Sequence, residues 1–244
     1  MKIAVLLYPA CSLQEITTLT SILCLSFGQS LDYLASEKKV YTSEEGLQVI
    51  PDFTFKEVQN EKYDCIILPG TLEPFVSLYD FRLISFLERV DTKRTIVAAI
   101  SSSPMFLGKA DLLRSRYYTG GLYMELVEYF SFLEKGTFLH QPVVKDKNVI
   151  TAIGFAYVEF SQTVLDALGL EVPSDFFLRK NSYTPEELTY HLETADYQEI
   201  LQEILYMYIK APRVCGVLCE DRKIVRRDFY PRKSRPAFAI LVCR

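Results

Sequence analysis

The sequence predicts an α/β protein built around a mainly parallel sheet. Short, continuously apolar runs such as 2–7 and 64–68 alternate along the chain with segments whose apolar residues follow helical spacing. A strand that is buried on both faces shows an unbroken apolar run, and parallel strands need crossover helices that cover those faces. We therefore expect a sheet between two layers of helices, which is an α/β sandwich.

The elements of this sandwich follow one another over roughly the first 170 residues. The first helix is predicted from apolar residues at positions 13, 16, 19, 22 and 23, and Pro69-Gly70 and Gly169 mark the ends of two later elements. The expected order is strand 2–7, helix 13–27, strand 64–68, helix 81–90, strand 95–100, helix 104–113, strand 149–153 and helix 156–168.

The third strand meets its helix with no loop between them, in the stretch VAAISSSPMFLGKADLL at 97–113. Pro104 suits a helix start because its fixed φ is already helical and its missing N–H would have no partner there. Ser101 would then sit in a strained turn, with small neighbours at Ala99 and Ser103. The pattern is a relaxed nucleophile elbow. The alternative is that the serine is simply a helix cap.

Ligands of open parallel sheets bind at the carboxyl ends of the strands, near the point where strand order reverses. Three features of the sequence lead to that edge: Glu15 after the first strand, the Pro69-Gly70-Thr71 turn after the second, and Ser101 after the third. We expect them to form one site.

The alternation stops near residue 170, so we expect a domain over 1–172 and a C-terminal extension over 173–244 that packs on it. Thr184-Pro185-Glu186-Glu187 signals a helix start, and 183–210 is predicted to form one or two helices. Leu201, Ile204, Leu205 and Tyr208 would share one face of that helical segment. The segment 214–244 is expected to form short strands with a basic connection, which makes the extension α+β.

Composition narrows the class of protein. The net charge of −4 gives no argument for nucleic acid, and six scattered cysteines favour reduced thiols in a cytoplasmic protein. Cys215 and Cys219 lack the second cysteine or histidine pair of a zinc site, so we expect no metal and no other cofactor. The N-terminal apolar run is short and meets Pro9, and no uncharged stretch reaches the ~20 residues of a membrane span, so no membrane association is expected.

Several separated stretches together resemble the ThiJ/PfpI superfamily, which includes the parkinsonism-associated protein deglycase and lies close to class I glutamine amidotransferase domains. The matching stretches are KIAVLLYPACSLQEITTL, GLQVIPDFTF, YDCIILPGT, VAAISSSPMFLGKADLL and NVITAIGFAYVEFSQTVLDALG, which span roughly residues 1–170 in the family's order. The resemblance implies a flavodoxin-like sheet, frequent dimerisation, here as a homodimer, and a pocket in which an acidic residue faces the elbow nucleophile.

Carried over residue by residue, the resemblance is incomplete. Glu15 stands where the family has its pocket acid, and Gly70 matches the turn that helps to build the oxyanion or ligand site, with Thr71 and Ser102 as further ligand-binding candidates. Ser101 replaces the cysteine of active members, since AISSSP stands in place of a stretch like AICAGP. Gly121, in YYTGG, occupies the approximate position of the family's histidine.

These departures leave three classes of function open. A serine hydroxyl needs a positioned base, and the chain has only two histidines, His140 and His191. The first class is a protein with a degenerate site that binds a small molecule or partner with little or no cysteine-type catalysis. The second is a serine-based or Glu15-assisted hydrolase or lyase, with Ser101 and Glu15 as the catalytic candidates. The third is a nucleic-acid regulator, for which the only support is the basic stretch 221–235. A solvated basic hairpin also accounts for that stretch, so we expect no nucleic-acid partner.

Overall fold

A computed structural model describes residues 1–58, 63–173, 176–177, 184 and 193–210, with only the backbone given at 203 and 206–210. The chain divides into two compact units, Met1–Phe177 and Leu178–Arg244. The first unit contains a central sheet with helices on both faces. This confirms the predicted α/β sandwich with a mainly parallel sheet.

The sheet has seven strands: β1 Ile3–Leu6, β2 Leu31–Ala35, β5 Phe53–Thr54, β6 Cys65–Leu68, β7 Ile96–Ile100, β10 Val143–Asp146 and β11 Val149–Ala152. Their order across the sheet is β10-β11-β7-β6-β1-β2-β5. All neighbours pair in parallel except β10 with β11. Strand order reverses beside β1, because the chain passes from β1 to β2 on one side and later to β6 on the other.

Two small ribbons and seven α-helices complete the described elements. The ribbons pair β3 Tyr41–Thr42 with β4 Gln48–Val49, and β8 Tyr117–Tyr118 with β9 Thr137–Phe138. The helices are α1 Gln14–Ser21, α2 Pro74–Leu78, α3 Phe81–Glu88, α4 Pro104–Lys109, α5 Met124–Tyr129, α6 Tyr157–Ala167 and α7 Thr194–Lys210. Short 3₁₀ and π turns, Gly154–Ala156 and Ile22–Ser26, flank α6 and α1.

The core consists of two apolar clusters, one on each face of the sheet. Successive residues of a strand point to opposite faces, so β1 sends Ala4 and Leu6 into one cluster and Ile3 and Val5 into the other. Helices α3 and α4 cover the first face through residues such as Phe86 and Phe106. Helix α1, the π turn that continues it and helix α6 cover the second face through Ile16, Leu19, Leu23, Phe160, Val164 and Leu165. Both faces of the central strands are therefore dry, as their unbroken apolar runs predict.

Two predicted helices differ in extent from those observed. The helix expected over 104–113 ends at Lys109, because Asp111 takes a left-handed φ of +62° and the Leu112 N–H donates to the Leu107 carbonyl at 2.9 Å. This is the hydrogen bond that closes a Schellman-type helix end. The helix expected over 13–27 is α-helical only to Ser21 and continues as a π turn to Ser26.

In the second unit, the structure describes α7 within the segment predicted to be helical. The side chains of Leu201, Ile204 and Leu205 are 39%, 58% and 54% exposed. The packing of this segment on the main domain therefore remains a prediction, as does the domain boundary at 172. The side chain of Tyr208, the helix signal at 184–187 apart from Thr184, and the strands expected over 214–244 lie outside the described residues.

Candidate functional site

Four neighbouring strands end at one edge of the sheet, and the segment that follows each of them contributes one residue to the site. The segment after β1 leads to Glu15, β6 leads to Gly70, β7 leads to Ser101 and β11 leads to Gly154. These strands lie side by side and are parallel, so their carboxyl ends meet at the place where open α/β sheets bind ligands.

Ser101 occupies a strained turn directly between β7 and α4. Its φ of +64° lies in the left-handed region that a residue with a Cβ rarely adopts. Two backbone hydrogen bonds hold the turn: the Ser101 N–H donates to the Ala152 carbonyl at 2.8 Å, and the Gly121 N–H donates to the Ser101 carbonyl at 2.7 Å. The predicted elbow geometry is confirmed, and Ser101 is partly exposed. A helix cap would need no such strain.

Glu15 lies in the first turn of α1 and is only 8% exposed. The Gly70 N–H donates to its Oε2 at 2.7 Å, and the Ser101 side chain is a second hydrogen-bond partner. Burial raises the pKa of Glu15 above its ordinary value, although these two hydrogen bonds pull the pKa back down. The carboxyl and hydroxyl groups predicted to face each other across one pocket are therefore in contact.

Two glycines let the backbone close tightly around this pair. A Cβ at Gly70 would lie 2.4 Å from Glu15 Oε2 and 2.6 Å from Ser101 Cβ, and one at Gly154 would lie 2.6 Å from Glu15 Oε1. Neither position has room for a side chain without displacing the carboxyl group. Gly154 was not predicted as a site residue from the sequence. It could have been, because it comes immediately after the predicted strand 149–153, much as Gly70 follows the predicted strand 64–68.

The other two serines of the elbow bind the turn that follows β6. The Thr71 N–H donates to Ser102 Oγ at 2.9 Å, and the Ser102 hydroxyl lies 3.0 Å from the Thr71 carbonyl that it can donate to. The Ser103 hydroxyl donates to the carbonyl of Leu68 or Ile100, at 2.9 and 2.8 Å. Ser102 and Thr71 were both predicted to bind ligand, but the Ser102 hydroxyl is hydrogen-bonded to the Thr71 backbone instead. The Gly70 N–H, the third predicted ligand-binding group, is hydrogen-bonded to the Glu15 carboxyl group.

Tyr8 is a further polar residue of the site that sequence analysis missed. Its side chain is 3% exposed, its hydroxyl donates to the Pro69 carbonyl, and Ser103 is a second hydrogen-bond neighbour. Burial raises the pKa of the phenol well above its ordinary value, so Tyr8 remains a neutral donor. A tyrosine at the end of an apolar strand gave no sequence signal for this role.

No histidine among the described residues is hydrogen-bonded to Ser101, whose polar side-chain partner is Glu15. Gly121 packs directly on the elbow, and a Cβ there would lie 3.4 Å from the Ser101 Cα, which is ordinary contact. His140 follows β9, is exposed, and contacts the Phe138 ring edge-on at 5.3 Å between centroids. It lies between two strands, since β9 ends at Phe138 and β10 begins at Val143. His191 lies outside the described residues.

Within the described ranges, no group of three or more histidine, cysteine, aspartate or glutamate side chains is arranged to hold a metal ion. Cys11 and Cys65 are buried and unpaired, and Cys24 is exposed and unpaired. Burial raises the pKa of the Cys11 thiol to about 11, so it is a poor thiolate at neutral pH. Cys215, Cys219 and Cys243 lie outside the part of the chain that the structure describes. No helix of that part is long and apolar enough to cross a membrane.

The model of the DJ-1/PfpI family matches residues 1–167, which is more than half of the chain. The chain belongs to the DJ-1/PfpI family. The sandwich that carries Glu15 and Ser101 is therefore the DJ-1/PfpI domain, and its flavodoxin-like fold agrees with the expectation drawn from the resemblance.

The curated relatives include proteins named as proteases and as deglycases. The "Uncharacterized protease YoaZ" of Bacillus subtilis is 32% identical over 142 residues, which cover 56% of this chain and 65% of the relative. The "Deglycase PfpI" of Pyrococcus furiosus is 33% identical over 85 residues, covering 34% of this chain and 51% of the relative. The chain spans between about half and three quarters of the length of the curated relatives that it matches.

Solved structures give the same fold. A cysteine-to-alanine mutant of a DJ-1 superfamily protein from Salmonella typhimurium is 26% identical, with a TM-score of 0.60 over 69% of this chain and 90% of that one. Drosophila melanogaster DJ-1beta is 21% identical, also with a TM-score of 0.60, over 70% of this chain and 91% of that one.

Proposed function

We propose that this DJ-1/PfpI protein binds a small molecule at the Glu15–Ser101 pocket and has little or no cysteine-type catalysis. The observation that carries the proposal is Ser101 itself: its φ of +64° keeps the elbow under strain although the side chain there is a hydroxyl rather than a thiol. Strained backbone persists where the surrounding structure over-determines it, and it is concentrated at functional sites.

Two contacts support binding rather than nucleophilic attack. Ser101 has Glu15 as its polar side-chain neighbour, and Gly121 presents only backbone to the elbow. Even with its raised pKa, a carboxylate is a much weaker base than a serine alkoxide, so Glu15 is poorly suited to take the proton of the serine hydroxyl. Together the two groups can donate and accept hydrogen bonds to a bound ligand.

The raised pKa of Glu15 also favours a second candidate, a Glu-assisted hydrolase or lyase. A carboxyl group that holds its proton closer to neutral pH can act as a general acid towards a substrate that Ser101 positions. The protease and deglycase names of the relatives make amides and glyoxals sensible substrates to test.

One experiment separates the two candidates. Native mass spectrometry of the purified protein looks for a co-purified small molecule that Ser101→Val loses, and a panel of amides, esters, isonitriles and glyoxals is assayed for turnover. We expect a ligand and no turnover. Turnover that Glu15→Gln abolishes would establish the enzyme instead.

Assembly and location belong to the same proposal. We infer a cytoplasmic homodimer, with support from the family and from the unpaired cysteines among the described residues. Sedimentation velocity over a range of concentrations tests the homodimer. The basic stretch 221–235 lies outside the described residues and lends no structural support to nucleic-acid binding.

A further inference from the structure

Three large apolar side chains are exposed around the candidate site. Leu72, Tyr123 and Phe155 are 72%, 77% and 75% exposed, and they come from three distant parts of the chain. Together we call them the apolar rim. Scattered exposed apolar residues need no explanation, but a group of them around polar pocket residues is typical of a ligand site.

Chain connectivity places each residue of the apolar rim close to Ser101. Each of its residues follows, by one or two positions, a glycine that lies against Ser101. Consecutive Cα atoms are about 3.8 Å apart, so each rim residue begins within about 8 Å of its glycine. The glycines are Gly70 before Leu72, Gly121 before Tyr123 and Gly154 before Phe155.

Two further carboxylates, Glu44 and Glu45, lie close to Glu15. Glu45 accepts a hydrogen bond from the Gln14 N–H at 2.7 Å, next to Glu15, and the Glu44 N–H donates to the Cys11 carbonyl at 3.1 Å. Both side chains are exposed, and the fields of both raise the pKa of Glu15. The negative charges of Glu44 and Glu45 would repel a bound anion as they repel ionised Glu15.

We propose that the pocket takes an uncharged small molecule with an apolar body and a hydrogen-bonding group, and that it discriminates against the carboxylate analogue. This inference rests on the proposed ligand-binding function. The apolar body covers the rim and removes its surface from water. The polar group meets the Ser101 hydroxyl and the Glu15 carboxyl, which can donate as well as accept.

Three matched probes test the class of ligand: para-fluorobenzamide, para-fluorobenzyl alcohol and para-fluorobenzoate, titrated with the full chain near neutral pH and followed by fluorine NMR. We expect the amide and the alcohol to bind, and the benzoate to bind about tenfold more weakly because of the two neighbouring carboxylates. The double variant Glu44→Gln/Glu45→Gln should narrow that difference.

Variants of the rim test where the apolar body sits. Leu72→Ser, Tyr123→Ser and Phe155→Ser should each weaken amide binding by about three- to tenfold. The matched control is Leu25→Ser, which removes a 40% exposed leucine from the π turn at the other end of α1. It should leave the affinity unchanged.

Each contrary outcome has its own meaning. Benzoate that binds as tightly as the amide overturns the class of ligand and leaves the binding function intact. If none of the probes binds and no small molecule co-purifies, both the inference and the proposed function fail. Rim variants that convert a dimer to monomers without changing amide affinity would show that a second copy covers the rim, which also overturns the inference.

Discussion

Ser101 retains a costly backbone conformation but carries a side chain of low intrinsic reactivity. A non-glycine residue in the left-handed region costs of order 1–3 kcal/mol, and here hydrogen bonds to Ala152 and from Gly121 hold it in place. The geometry of the elbow therefore does not depend on which atom, oxygen or sulfur, the side chain presents. Replacing the Ser101 hydroxyl by a thiol tests whether the elbow still favours a reactive side chain at this position.

Ser101→Cys should create a thiol that iodoacetamide modifies faster than the native cysteines. Position 101 is partly exposed and touches Glu15, which in its protonated form can donate a hydrogen bond to the thiolate. Cys11 and Cys65 are buried, and burial raises the pKa of both. Peptide mass spectrometry after limited alkylation measures the rates.

Turnover should not return with this thiol, because Gly121 supplies no side chain to move protons. The double variant Ser101→Cys/Gly121→His is the informative comparison, since a Cβ at 121 meets only ordinary contacts. An introduced thiol no more reactive than Cys24, the exposed native cysteine, would mean that the elbow does not stabilise a thiolate.

Glu15 makes stability depend on pH in a defined direction. Because burial raises its folded-state pKa above the unfolded value, its contribution is complete at low pH and is lost as the pH rises through the folded pKa. Each unit of upward shift corresponds to ~1.4 kcal/mol. Glu15→Gln should therefore gain stability relative to the parent as the pH rises from about 4, the ordinary pKa of a glutamate, through the folded-state pKa of Glu15.

Urea denaturation at a series of pH values measures this difference. Glu159→Gln, which changes an exposed carboxyl in the first turn of α6, is the control and should track the parent at every pH. A constant offset between Glu15→Gln and the parent would show that Glu15 has the same pKa in both states.

The glycines beside Glu15 should differ in their tolerance of a methyl group. Gly70→Ala would drive a Cβ against Ser101 Cβ, which is fixed to the elbow, and should cost about 1–3 kcal/mol. Gly154→Ala meets chiefly the mobile end of Glu15 and should cost less, while still displacing the carboxyl group. Gly121→Ala meets only ordinary contacts and is the control. Thermal melts give the ranking, and equal losses at 70 and 121 would refute the close approach.

At the scale of elements, the end of β1 and the start of α4 hold the turn after β6 from both sides. Tyr8→Phe removes the donor to the Pro69 carbonyl and should cost about 1–3 kcal/mol, because it leaves a buried carbonyl unpaired. It should also loosen the Gly70 N–H that stabilises ionised Glu15, so the pKa of Glu15 should rise further.

Tyr118→Phe is the matched control for that variant. Its hydroxyl is buried and donates to the Leu133 carbonyl at 3.2 Å, a contact with no part in the turn after β6. Carbon NMR of the Glu15 carboxyl separates the two variants: both lose stability, but only Tyr8→Phe should move the titration. If the Glu15 titration is unchanged in Tyr8→Phe, Tyr8 contributes to packing and stability but has no effect on Glu15.

The elements that the sequence predicted are those with long apolar signals. Strands β1, β6, β7 and β11 are buried on both faces and appear as continuous apolar runs, so their order and the site at their ends could be predicted. Strand β2, LDYLA, carries an aspartate and is only partly buried, so it gave no such signal and was missed. The hydrogen bonds of Tyr8, Ser102 and Ser103 depend on contacts between distant segments, which spacing along the chain does not reveal.

At the scale of the whole molecule, the first unit extends beyond the stretch that matches the family. The match ends at residue 167, whereas the compact unit runs to Phe177. Five residues in between pack against the core cluster under α1 and α6: Leu168, Leu170, Val172, Phe176 and Phe177. These five partly buried side chains therefore extend the apolar packing of the unit beyond the family match.

A fragment of residues 1–177 should fold cooperatively, since it contains the whole sheet and both core clusters. A fragment of residues 1–167 should be less stable by about 3 kcal/mol or more, because it exposes apolar surface that those five side chains cover.

Comparing the melting temperature of the 1–177 fragment with that of the full chain tests whether the C-terminal extension packs on the domain. If residues 178–244 pack on the domain as predicted, 1–177 melts below the full chain; equal melting temperatures would mean that the extension is independent. Equal stability of 1–167 and 1–177 would contradict the assignment of Phe176 and Phe177 to the core. Calorimetry of the three proteins at matched concentration decides both questions, because apolar surface lost from the core lowers the unfolding enthalpy and the melting temperature together.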